Sequence, residues 1–176
     1  MMRILILVLA LVFLCQATSA QQKLADPKLA PLQFLLGKWE GEGTAQVGRG
    51  SGYFSFESSL QDKVLVRKNH SEYRQARDRP VYRHDDLLIV YVDAATKQLR
   101  AFYTDNEQHV INYAVSVSAN GTSIVFLSDA QAGAPRYRLT YATMQPDKMS
   151  VTLETAQPDN PDHFQKIVEG KVKKIG

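Results

Sequence analysis

Phe34-Leu35-Leu36-Gly37-Lys38-Trp39-Glu40-Gly41-Glu42-Gly43 is the stretch whose reading decides the fold. It holds the only tryptophan of the chain, set between two glycines with a third just beyond. Pro31 suits the first position of a helical turn and Gly37 its end. Leu32, Leu35 and Leu36 give that turn an apolar face. After Gly37 the apolar pattern changes from period 3.6 to period 2 and stays there. A turn that stops at a glycine and runs straight into a strand places Trp39 as a plug for the floor of a closed β-barrel.

The strands are read outward from this point over residues 38–47, 53–60, 64–73, 84–93, 97–104, 109–118, 122–128, 136–143, 149–155 and 164–173. Residues 48–52 read as a turn, and 74–83 as a polar, arginine-rich loop broken by Pro80. Asn120-Gly121 is a strong hairpin signal. About ten short strands with tight turns and almost no helix indicate an all-β, antiparallel up-and-down barrel, closed at one end by the short N-terminal helical turn. Closure removes the exposed edges that such a sheet would otherwise carry.

Residues 1–20 read as a secretory signal peptide: Arg3, an apolar run over residues 4–14, then Ala17-Thr18-Ser19-Ala20. The run is shorter than the ~20 apolar residues that a membrane-spanning helix needs. Cleavage after Ala20 predicts a periplasmic or secreted protein, while Cys15 keeps a lipoprotein alternative open. Residues 21–30 read as a mobile leader and 31–176 as one barrel domain. Cys15 is the only cysteine, so the remaining chain has no disulfide, thiol nucleophile or thiolate ligand. A formal net charge of +3 falls well short of a nucleic-acid binder's basic excess.

Parity along the strands predicts the barrel lining. His109, Ile111, Tyr113, Val115 and Val117 share one face, and the opposite face is polar and small. Tyr137, Leu139 and Tyr141 alternate with Arg136, Arg138 and Thr140. Leu153 follows Met149 and Val151 on one face, and Tyr103 follows Leu99 and Ala101. The candidate ligand-binding set is therefore Tyr103, His109, Ile111, Tyr113, Tyr137, Tyr141 and Leu153. The phenols of Tyr103, Tyr113 and Tyr141 are placed to orient the polar end of a small apolar or amphipathic ligand.

Residues 37–43 resemble the Gly-x-Trp-x-Gly-x-Gly signature of the nitrobindin-like, lipocalin-type barrels. Residues 63–67, 105–111, 126–129 and 135–141 look closer to a secreted bacterial branch of the same calycin-like group, of unknown function. The resemblance spans nearly the whole chain after residue 20. It implies a ten-stranded barrel with an internal ligand cavity and no established catalysis. Nitrobindins bind b-type heme through a histidine near the C-terminus, and His163 is the one position that corresponds. The residues after it, Ile167-Val168-Glu169-Gly170-Lys171, depart from the heme-binding branch, so no cofactor is expected.

Other constellations have alternative readings. His109, near Asp105 and Glu107, suits a general base on an ester or isomerisable lipid, or else a buried histidine bonded to a loop carbonyl. Ser128, Asp129 and His109 form a hydrolase triad only on paper, without a Gly-x-Ser-x-Gly elbow. His70 with Glu72, and His84 with Asp86, each offer two ligands on one strand face, short of the three or four that zinc takes, so no metal is expected. Arg136 and Arg138 either grip an anionic headgroup or pair with Glu154, and the pairing is the expectation.

Overall fold

The structure is a computed structural model that describes residues 24–42, 50–73 and 80–176. The signal-peptide reading, its cleavage point and Cys15 lie outside the described residues. Ten antiparallel strands form a closed barrel: β1 Gly37–Gly41, β2 Gly50–Ser59, β3 Val64–Tyr73, β4 Tyr82–Val92, β5 Leu99–Asp105, β6 Val110–Val117, β7 Ser123–Ser128, β8 Arg136–Gln145, β9 Lys148–Ala156 and β10 Gln165–Ile175. Each strand pairs with its sequence neighbours, and β1 closes the ring against β10 through Lys38↔Ile175 to Gly41↔Val172. The all-β, up-and-down architecture is the one the alternation predicts.

Element boundaries differ in places. Residues 50–52 belong to β2 rather than to a turn, because Gly52 sits opposite Ser71 in the β2–β3 ladder. β4 starts at Tyr82, two residues before the expected strand, because Tyr82 pairs with Tyr73. β1 ends at Gly41, and the rest of the expected first strand falls largely on residues 43–49, outside the described residues.

A 3-10 turn, Ala30–Leu35, lies under the end where β1 begins. Trp39 stands above it, 1% exposed, and its indole Nε1–H donates to the Leu35 carbonyl at 2.8 Å. The Lys174 ammonium lies over the indole, 5.4 Å from its centroid. Leu24 and Leu29 are buried with Leu32, Leu35 and Leu36. That part of the expected leader therefore belongs to the plug: its leucines cover the barrel floor, and the Leu24 amide is held by the Gln33 side chain at 2.8 Å. Gly37 carries φ +112°, a backbone conformation that favours glycine, while the nearby Lys174 side chain, 2.6 Å from where a Cβ would stand, is free to move aside.

Above the plug the lower barrel is solid. Phe54, Phe56, Phe126 and Tyr141 pack edge to face with centroids 5.5 to 6.1 Å apart, and Leu65, Leu88, Val90, Ile124 and Met149 fill in around them. A Cβ on Gly52 would meet the His70 carbonyl at 2.7 Å, where backbone cannot give way, whereas nothing lies within 4 Å of one on Gly170. Gly52→Ala is expected to lose ~1–3 kcal/mol in urea melts, with Gly170→Ala nearly silent as the control.

Candidate functional site

The strand directions put the hairpin turns 60–63, 93–98, 118–122 and 146–147 at the plugged end. The loops 106–109, 129–135 and 157–164 therefore ring the opposite mouth. Inward-facing residues divide with height. Below mid-barrel most are apolar and buried, with Val92, Leu99, Val115 and Val117 near the plug only partly so. At mid-height Arg67 on β3 and Asp86 on β4 point inward, since they share strand faces with Leu65 and with Leu88 and Val90.

Arg67 reaches across the lumen. One terminal nitrogen donates to the Tyr141 hydroxyl on β8 and the other to Asp86 Oδ1. Asp86 Oδ2 accepts from Asn69 Nδ2 at 3.0 Å. Burial by itself works against the guanidinium charge, but Tyr141 and Asp86 outweigh it and hold Arg67 charged beyond its ordinary range. Arg67 Nε is buried with no acceptor among the described residues.

A chain of polar contacts climbs from this pair to the mouth. His84 Nε2 lies 3.4 Å from Asp86 Oδ2 and 3.1 Å from the Tyr103 hydroxyl, and Tyr103 donates to Asp105 Oδ2 at 3.0 Å. His84 Nδ1 lies 2.8 Å from Glu107 Oε1, which also accepts from Tyr82. Asp105 Oδ1 accepts the amides of Glu107 and His109, each at 2.9 Å. Burial raises the Asp105 carboxyl, but the bonds from His109, Tyr103 and Glu107 outweigh it and hold the group below its usual range. Glu107 is likewise held low by Tyr82 and His84.

The predicted site residues are placed as follows. Tyr103, Ile111, Tyr113, Tyr137, Tyr141 and Leu153 all lie on the inner face of their strands, in register across the β5–β6 and β8–β9 ladders. The Arg67 charge acts on the phenols of Tyr103, Tyr113 and Tyr141 alike. Tyr141 is fully buried beneath the guanidinium, so its hydroxyl already has a partner. His109 sits outside the strand, its side chain 60% exposed and its Nδ1 2.8 Å from Asp105 Oδ2, so it is not the buried histidine expected. It bonds a carboxylate four residues back rather than a loop carbonyl, because the Asp105 side chain caps this turn.

Ser128, Asp129 and His109 are not assembled as a triad: Ser128 Oγ accepts the Tyr137 amide, Asp129 pairs with Arg100 and His109 with Asp105. Arg138 pairs with Glu154 at 2.6 and 2.9 Å, as expected, while Arg136 lies 3.8 Å from Asp162. Phe164 lies under Arg138, 4.2 Å from ring centroid to guanidinium carbon, and so packs on the outer side with it rather than facing the lumen. His163 is exposed on the 157–164 loop, with its amide bonded to the Asn160 carbonyl. An exposed loop histidine above a lumen spanned by Arg67 and Tyr141 does not fit an axial heme ligand.

Arg67 and Asp86 lie outside the parity reading, which covers the strands of Tyr103, Ile111, Tyr137 and Leu153 but not β3 and β4. The usable signal is that each sits in an unbroken inward series, Leu65-Arg67-Asn69 and Asp86-Leu88-Val90. For His84, the cluster forms without Asp86: ligand atoms of His84, Asp105 at the end of β5 and Glu107 in the loop after it all lie within 4.8 Å of one another. Each is already engaged by the hydrogen bonds given above.

Burial raises the phenols of Tyr103, Tyr113 and Tyr141 above their ordinary value. Their contribution to stability is complete below the unfolded value near ~10 and is lost as pH rises past it, by up to about 1.4 kcal/mol per unit per phenol. Urea melts from pH 8 to 11.5 should show stability falling steeply above pH ~10. Tyr113→Phe removes one of the three phenols and should flatten that slope.

No protein-family model and no curated protein matches the chain. Among solved structures it is similar to EF1p2_mFAP2b bound to DFHBI, at 11% identity over 82% of this chain and 97% of that one, with a TM-score of 0.29. At that score the two backbones superpose poorly, and the likeness says nothing about what this chain binds.

Proposed function

We propose that this protein is an exported, non-enzymatic barrel that holds a small apolar or amphipathic molecule in the upper half of its lumen. The observation that carries the reading is incomplete filling. Val168 pairs with Leu153 on the inner face, yet it is 50% exposed. Tyr103, Ile111, Tyr137, Val151 and Leu153 also face inward but are only partly buried. Val92, Leu99, Val115 and Val117 near the plug are partly buried as well, so the difference at the mouth rests on Val168, which is the most exposed of the inward apolar residues at that end. Apolar wall on β6 and β8–β10 faces polar wall on β3–β5, which suits an occupant with one apolar and one polar part.

The ten-stranded barrel and the residues 37–43 signature support a place among calycin-like barrels. The N-terminal pattern of residues 3–20 supports export. N-terminal sequencing of the protein from its own host should begin near Gln21. Native mass spectrometry of the same sample should show a small molecule bound. A barrel that is empty on purification and takes up no apolar fluorescent probe would overturn the binding reading.

A further inference from the structure

An imidazole and two carboxylates converge on the inner wall at the barrel mouth. His84 shares the inward face of β4 with Asp86 and Leu88, and Asp105 shares that of β5 with Ala101 and Tyr103. Glu107 joins them from the 106–109 loop. One ligand atom from each of the three lies within 4.8 Å of the other two. Among the described residues no other three histidine or acidic side chains come together in this way. A tetrahedral zinc bonded at ~2.0–2.2 Å spaces its donors about 3.4 Å apart, so side-chain shifts of about 1 Å close this set around an ion.

The set is accessible on one side and braced on the other. The side chains of His84 and Glu107 are partly exposed, so an ion reaches them from solvent. Asp105 is 2% exposed, and its Oδ1 is tied to the Glu107 and His109 amides. Its Oδ2 is thereby turned to the cluster, where it accepts from the Tyr103 hydroxyl and lies 2.8 Å from His109 Nδ1. His109 is largely exposed, so its ring is free to turn away and release that oxygen to an ion. A carboxylate held in this manner loses little freedom when it ligates a metal.

Charge favours a cation at the same place. Among the described residues neither Asp105 nor Glu107 pairs with a lysine or arginine; their ion-pair partners are the imidazoles of His109 and His84. Asp86 is a third carboxylate, 3.4 Å from His84 Nε2, and the Arg67 guanidinium is matched to it. The two acids at the mouth therefore stand close together without a fixed positive charge of their own. A divalent ion supplies one.

The donor types select the ion. One imidazole and two carboxylates, with no thiolate, suit a borderline divalent metal. Ca2+ takes about six to eight oxygen ligands, more than this wall offers. We propose that His84, Asp105 and Glu107 form a binding site for one divalent transition-metal ion of the zinc class. Three protein ligands leave the fourth position to water. The site stands whether or not the lumen holds an organic ligand.

The test is calorimetric titration of Zn2+ into tag-free protein that has been stripped with EDTA and dialysed. One ion per chain is expected to bind, in the micromolar range or tighter, and Ca2+ at millimolar concentration should leave the isotherm unchanged. His84→Ala is expected to weaken binding at least about 100-fold, and Glu107→Gln, which keeps the shape and hydrogen-bonding capacity of the side chain, at least about tenfold. Melting checks the folding of each; if His84→Ala does not fold, Glu107→Gln in its exposed loop decides. His70→Ala is the control. His70 points outward from β3, 2.6 Å from Asp85 and 3.7 Å from Glu72, and its loss should leave Zn2+ affinity as it is. Absence of saturable Zn2+ uptake by the wild type would overturn the inference, as would uptake that survives both variants or is lost in His70→Ala. Ca2+ that displaces Zn2+ would overturn the class of ion assigned.

Discussion

Trp39→Ala is expected to leave the protein largely unfolded, or so weakened that it melts tens of degrees below wild type. Removing a fully buried aromatic costs ~3–5 kcal/mol, against a total stability of ~5–15 kcal/mol for a typical domain. Here the loss has two parts. The indole fills the space between the 3-10 turn and the first layer of barrel side chains, with Leu32, Leu35 and Phe54 in the same buried cluster. Its Nε1–H also satisfies the Leu35 carbonyl, which would otherwise be left buried beneath the floor. Trp39→Phe restores part of the packing but not the donor, and should fall between the two. Far-UV circular dichroism is the readout, because the variants lack the only tryptophan. A Trp39→Ala protein that melts within a degree or two of wild type would show that the indole does not hold the barrel closed.

The second large effect is at mid-barrel. Arg67→Met leaves the Asp86 carboxylate buried without its cation, and Asp86→Leu leaves the guanidinium without its anion. Each single change is expected to cost ~3–5 kcal/mol. The group as a whole is worth far less, because an ion pair gains little over well-packed apolar side chains once both desolvation penalties are counted. Arg67→Met/Asp86→Leu/Tyr141→Phe removes the pair and the phenol that Arg67 bonds, and should recover to within about 2 kcal/mol of wild type. Asn69 and His84, which also face Asp86, lie higher toward the mouth, where both are only partly buried. Urea melts of the three proteins decide the matter: a triple variant as weak as the sum of its parts would mean that the three residues do not act as a unit.

The ten-strand barrel was legible because its signals are local. Side-chain alternation is a property of the extended backbone itself, so the inward positions of Tyr113, Tyr137 and Leu153 follow from their own strands. Asn120-Gly121 marks its hairpin by the same kind of short-range rule: Gly121 takes φ +69° and its amide bonds the Ser118 carbonyl at 2.8 Å. Trp39 was legible as a plug because a helical turn, a glycine and an isolated indole follow one another within a few residues.

The centre of the lumen was not legible in this way. Arg67 and Tyr141 are 74 positions apart, and their meeting depends on how far the strands are staggered when the sheet closes. Parity says that both point inward but carries no information about height. The same holds for His84 on β4 and Glu107 in the 106–109 loop, which meet because a turn capped by Asp105 folds back over β4. By itself, then, the sequence determined the strands, their faces and the plug, because each depends on residues close along the chain. Only the tertiary structure decided that a buried cation spans the barrel at mid-height, with packed aromatic core below and a partly open, two-sided lumen above, because closure of the ring sets which inward residues share a level.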